Sequence, residues 1–198
     1  IMFMRQEGRC EIVGIFDDDV ASHGTLVEGV RVVGGTGSLP VGVNLLIAIG
    51  QNEVRKKIAL KLDEVGANDG RPFWPRNGAL VSESATVGAG TYIGPGVVVG
   101  PRASIGRHCI LQPGAFVAHD ALIGNYAFVG GRAMVAGFSA LDEGAVLGMG
   151  AIVAPKKRVG AWTTVMIQSA VVSDIPEHVT CGGVPAAVMS ESERTKVG

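Results

Sequence analysis

The chain has 198 residues, 17 basic and 18 acidic side chains and a net charge of −1. That balance gives no electrostatic basis for a nucleic-acid or anionic-membrane partner. The longest apolar run, VGVNLLIAIG, is too short to span a bilayer.

Thirty glycines and only 5% aromatic residues in a 47% apolar chain point away from a helical bundle. They point toward a repetitive β architecture with tight turns. Cys10, Cys109 and Cys181 are widely spaced and form no C-x-x-C. They read as reduced thiols of a cytoplasmic protein, with no disulfide framework and no metal site.

The chain opens with IMFMRQEGR, which looks like the end of a helix. A parallel α/β unit needs a first strand and a turn before it, so about 15 to 20 further residues are expected upstream of Ile1. CEIVGIFDDD is a buried-strand run ending in three carboxylates, and VNLLIAIG is a second strand. NEVRKKIALKLDEVG is an amphipathic helix with Val54, Ile58, Leu62 and Val65 on one face and Arg55, Lys56, Lys57 and Lys61 outside it. Asn52 is its expected N-cap, and Gly66 stands where a C-terminus favours glycine. In such a unit ligands bind beyond the carboxyl ends of the strands, which makes Asp17, Asp18 and Gly50 candidate contacts. A solvated loop is the plainer account of the three carboxylates. ANDGRPFWPRNG is rich in turn residues and reads as a linker.

From Val81 every sixth residue to Val171 is Val, Ile or Leu, sixteen positions in succession. These types make up 52 of the 198 residues, so the run has a chance probability on the order of one in a billion. The fourth residue after each is also restricted, mostly to small side chains, from Ala85 through Val97, Ala103, Ala121 and Ser139 to Ala151, until Lys157. Glycine often follows the aliphatic, as at Gly88, Gly124 and Gly148, and is expected there for the turns. A period of six fits neither a helix nor a two-sided strand, but it fits a parallel β-helix whose short strands stack coil on coil.

Three motifs, IAIGQNEVRKKI (residues 47–58), VAHDALIG (117–124) and GGVPA (182–186), give the chain a family resemblance. It resembles the bacterial sugar O- and N-acyltransferases, of the sialic acid O-acetyltransferase and UDP-4-amino-sugar N-acetyltransferase type. The resemblance implies a Rossmann-like nucleotide-sugar-binding domain (1–70), a linker (71–80), a left-handed β-helix with three hexads per turn (81–176) and a C-terminal segment (177–198). It also implies a homotrimer with sites at subunit interfaces, and acetyl-CoA as acyl donor. Residue by residue, it makes His119 the general base and Asp120 its acidic neighbour. Asp17, Asp18 and Gly50 become contacts to the nucleotide sugar. Gly137 becomes the amide that meets the thioester carbonyl, and Met149 and Ile167 line the CoA site. The chain departs from the family at four positions. Phe128 replaces a second histidine near acetyl-CoA, and Gln112 an asparagine before the catalytic pair. Ile167 stands for a glycine, and Ala187 for a basic residue.

With three hexads per coil, Gly137 lies one coil after His119, about one strand spacing (~4.8 Å) away. A base and a bare N–H at that distance suit acyl transfer. Neighbours on a strand point to opposite faces, so Asp120 reaches the His119 ring only if the pair sits at a corner. His23 and His178 fall in expected loops, and His108 does not match a coil repeat, so no three-histidine zinc site can be assembled. The leading expectation is N-acetylation of a nucleotide-linked 4-amino-4,6-dideoxy sugar. O-acetylation of a sugar hydroxyl and a non-catalytic trimeric scaffold are the alternatives.

Overall fold

The structure, a computed structural model, describes residues 12–39, 45–64, 66 and 78–190. The expected first helix, Cys10, Val65 and residues 71–77 of the expected linker (71–80) lie outside these residues.

Sixteen two-residue strands run from Leu80–Val81 to Ala170–Val171. Each pairs in parallel with the strand one coil away, so that Val81 faces Val99, Val117 faces Val135 and Val129 faces Leu147. The register is constant at 18 residues, and the strands form three sheets around a prism, the parallel β-helix that the repeat predicts, in the left-handed form that the family resemblance implies. On each face an inward small residue, an outward residue and an inward aliphatic alternate, as in Ala121, Leu122 and Ile123. Of the sixteen aliphatics, all from Ile93 onward are buried, while Val81 and Val87 at the open end are half-buried. Their column is the core.

The corners explain the rest of the hexad. Pro95, Pro101, Pro113 and Pro155 each precede a residue with φ between 58° and 73°. A backbone hydrogen bond spans the turn, as in Ala115 N–H to Gln112 O at 3.1 Å. These are type II turns, with proline second and a left-handed residue third. Glycine fills the third position at 96 and 114, but Arg102, His108, Asp120, Tyr126 and Phe138 adopt it too. The glycines after the aliphatics therefore have a different cause from the one expected. Gly124 has no positive φ, but a Cβ there would lie 2.5 Å from the Glu143 nitrogen in the next coil. Glycine at these points lets successive coils approach.

The last coil shortens. Val159 bridges Ile175, and Val165 pairs with Cys181, both 16 residues on. Thr180–Gly182 forms the final rung of one face and pairs antiparallel with Ala187–Val188. Ala170 at the end of a second face donates to Gly183 O and accepts from Ala186 N–H. The segment after 171 thus covers the end of all three faces.

The N-terminal part differs from expectation in three ways. Ile15–Phe16 (β1) does form a parallel pair, but with Val30–Gly34, which is also hairpinned to Leu26–Val27. That hairpin was not foreseen. Residues 45–50 of the expected second strand have no ladder partner among the described residues, and a strand exists only where its backbone groups are paired. The helix α1 (Asn52–Glu64) is present, and Gly66 ends it at φ 65°. Of the expected face, Leu62 is buried and Ile58 half-buried, but Val54 is exposed, and Asn52, Arg55 and Ala59 are buried as well. Asn52 does not cap the helix. Its Nδ2 donates to Gly144 O at 3.0 Å, and its Oδ1 accepts from Arg55 Nη2 at 2.7 Å.

Arg55 explains the shifted face. Its Nε donates to His108 O and its Nη2 to Tyr126 O, each at 2.7 Å, and its Nη1 to Ile49 O at 2.7 Å. The guanidinium is a five-donor fork that answers backbone carbonyls at one prism corner, which lets a cation replace an apolar anchor. Burial pulls its pKa down to about 10, so it stays charged at neutral pH.

Candidate active site

His119 and Asp120 are the second and third residues of one corner turn, and Asp120 has φ 58°. The corner resolves the strand-alternation difficulty. Both side chains project from the prism edge, and His119 Nδ1 lies 2.8 Å from Asp120 Oδ2. Asp120 also accepts from Arg102, Nε to Oδ1 and Nη2 to Oδ2, both at 2.7 Å. The Arg102 hydrogen bonds, followed by the one to His119, hold the Asp120 carboxyl at about 2. An ionised carboxylate can only accept, so Nδ1 carries the ring proton and Nε2 is left as the acceptor.

Gly137 occupies the equivalent corner position one coil on. A Cβ there would lie 2.8 Å from His119 Cε1 and 2.9 Å from Nε2. The imidazole therefore rests against the bare Cα of Gly137. The second residue of a type II turn directs its N–H outward, and the Gly137 N–H has no partner among the described residues. A proton acceptor and a free amide donor thus stand side by side. The exposed Phe138 ring meets the imidazole edge to face at 5.3 Å. Neither Arg102 nor Phe138 stood out in the sequence, although each is one coil from Asp120 in the same corner column.

The other candidates fall into separate groups. Met149 and Ile167 are exposed and stack one coil apart, on the next corner around the prism. Phe128 faces outward on the strand Phe128–Val129, half-buried. Gln112 is also half-buried and precedes the Pro113 turn on that same side. Between the His119 corner and the Met149 corner runs one face whose outward residues are all apolar: Leu80, Val98, Phe116, Met134, Ile152 and Ala170.

Asp17 and Asp18 follow β1 as expected for a ligand-binding end of a strand. Both also serve the loop itself. Asp17 Oδ1 accepts from Asp19 N–H at 2.9 Å, and Asp18 Oδ1 from Thr36 N–H at 2.7 Å. The Thr36 backbone and hydroxyl bonds lower the Asp18 pKa. Gly50 lies in open space just before α1, and its carbonyl accepts from Arg55 Nη1 at 3.3 Å. Of the other histidines, His23 Nε2 is bound to Asp17 O, and the buried His108 stacks on Tyr126. No cluster of residues suited to a metal ion occurs among the described residues, and Cys109 and Cys181 are buried and unpaired. No helix among them is long and apolar enough to cross a membrane.

Two family models match: the PglD N-terminal domain over residues 1–62 and the six-repeat bacterial transferase hexapeptide over residues 84–119. No curated protein sequence matches the chain. Among solved structures, PerB from Caulobacter crescentus, in complex with CoA and GDP-perosamine, is 34% identical with a TM-score of 0.88, covering 96% of this chain and 90% of its own. The acetyltransferase domain of PglB from Neisseria gonorrhoeae is 25% identical with a TM-score of 0.87, covering 95% and 92%. The same domain in complex with acetyl coenzyme A is 26% identical with a TM-score of 0.81, covering 89% and 86%.

Proposed function

The chain belongs to the hexapeptide-repeat sugar acetyltransferases with a PglD-type N-terminal domain, acetyl-CoA-dependent enzymes, and from that membership we propose that it acetylates the amine of a nucleotide-linked 4-amino-4,6-dideoxy sugar. The observation that carries the reading is the His119 ring, fixed by Asp120 and lying on Gly137. The likeness to a structure holding both CoA and GDP-perosamine supports the amine acceptor.

In this reading His119 Nε2 accepts a proton from the sugar amine as its nitrogen attacks the thioester carbon. The Gly137 N–H donates to the carbonyl oxygen as it gains charge. The C–S bond then breaks, the imidazolium returns its proton to the departing CoA thiolate, and an amide remains. Asp120 holds the tautomer and favours the imidazolium that forms transiently. Met149, Ile167 and Phe128 contact the CoA arm, Gln112 the acceptor sugar, and Asp17, Asp18 and Gly50 the nucleotide sugar.

Within one chain the His119 corner and the Met149 corner are different edges of the prism. A homotrimer built on the apolar face between them brings one copy's edge to another's, which supports sites shared between subunits. The test is thiol release from acetyl-CoA with a panel of nucleotide sugars. Release with 4-amino sugars supports the proposal, and release only with hydroxyl acceptors moves it to O-acetylation.

A further inference from the structure

Arg102 is the third residue of the corner turn one coil before Asp120, and no motif marks it. Its guanidinium engages both carboxylate oxygens of Asp120 in the bidentate geometry that fixes a carboxylate in plane as well as in distance. One of those oxygens, Oδ2, is the atom that also accepts from His119 Nδ1. A lone aspartate on an exposed turn can rotate about its side-chain bonds, whereas this one is held from both sides.

We propose that Arg102 is a positioning residue for the base: acting through Asp120, it locks the carboxylate against His119 Nδ1 and offsets its charge, thereby setting the pH at which the base becomes available. This rests on the reading of His119 as the base. Other charges in the corner column are more distant. Glu83 lies a coil before the Pro101 turn, and Lys156 lies a coil beyond Phe138, its amide bonded to Gly137 O. Among the described residues, Arg102 and Asp120 are thus the charged groups that directly face the ring.

The sign follows from the charges. With Arg102 present, part of the carboxylate's attraction for an imidazolium is cancelled. Without it, Asp120 favours the protonated ring more strongly, and a higher pH is needed to free Nε2. For charges some 5 Å apart in a solvated setting the displacement is roughly half a pH unit, and it shrinks with added salt.

The experiment uses Arg102→Gln, Arg102→Lys, Asp120→Asn and the double variant Arg102→Gln/Asp120→Asn in the full chain. The readouts are the acid limb of kcat against pH and the NMR titration of the His119 ring. The Arg102 side chain is 64% exposed, so these variants are expected to keep their fold, checked by circular dichroism and solution mass. Arg102→Gln should raise both midpoints by roughly half a unit and lower kcat several-fold. Arg102→Lys should keep the midpoints near native, and Asp120→Asn should lower them. Adding Arg102→Gln to Asp120→Asn should lower kcat no further, because the carboxylate that Arg102 positions is already neutralised. An unmoved NMR midpoint in Arg102→Gln, or a full additional loss in the double variant, overturns the inference. If the NMR midpoint moves but the acid limb does not, the clamp stands and His119 is not the base.

Discussion

At the residue scale the site is a contact between an imidazole and a missing side chain. Gly137→Ala would place a methyl group 2.8 Å from His119 Cε1. The ring is exposed and can swing aside, so the fold should survive. Displacing the base by about 1 Å is expected to cost up to roughly a hundredfold in kcat. His119→Ala should leave assembly intact and lower kcat by about a hundredfold or more, the scale of a lost general base. Near-native turnover in that variant would remove His119 from the chemistry. The rate of the native enzyme should rise with pH as the ring loses its proton, since only the neutral form can accept another. The Asp120 carboxyl, held at about 2, stays ionised throughout that range. Its folded pKa is depressed below the ordinary 3.8, so the stability it contributes is present above that value and fades only as pH falls toward 2. The pairing of His119 with Gly137 was legible because a repeat of 18 residues is also a distance. Arg102 obeys the same arithmetic toward Asp120, but nothing in its own neighbourhood announces it.

At the element scale, α1 shows where patterning misleads. Counting Val, Ile and Leu placed Leu62 and the half-buried Ile58 on the inward side but missed Asn52, Arg55 and Ala59, because periodicity sees apolar residues and not the carbonyls a helix must meet. The corner at 108, 126 and 144 offers backbone oxygens, so Asn52 and Arg55 point there. Arg55 also grips the Ile49 and Gly50 carbonyls, tying a candidate sugar-nucleotide contact to the β-helix. Arg55→Met is expected to leave buried acceptors unsatisfied at about 1–3 kcal/mol each. Hydrogen exchange should speed up along α1 while the coils stay protected. Uniform protection of both would show that Arg55 does not hold them together. In the coils themselves the aliphatic ladder was fully legible, and Leu147→Ala should cost roughly 2–5 kcal/mol. The short hairpin at Leu26–Val27 and Val30–Gly34 was missed because its few residues carry neither a long apolar run nor a repeat.

At the scale of the whole molecule, the prism presents three unlike edges: one bound by α1, one bearing His119, and one bearing Met149 and Ile167. The apolar face between the last two should be the seam between copies. Phe116→Glu is expected to give a single-subunit mass and to lose acetyl transfer, whereas a trimeric, active variant would place the seam elsewhere. The segment after Val171 has a further consequence. A stack of parallel rungs offers open backbone donors and acceptors at its end, a template on which another prism could add. Ile175, Thr180–Gly182 and the Gly183–Ala186 stretch occupy that template on each of the three faces, and Ala187–Val188 closes it with a strand of opposite sense. The tail is therefore expected to act as a chain terminator, keeping another prism from adding to the last coil. Truncation after residue 171 should produce fibres that bind amyloid dyes, while the intact chain stays a discrete particle.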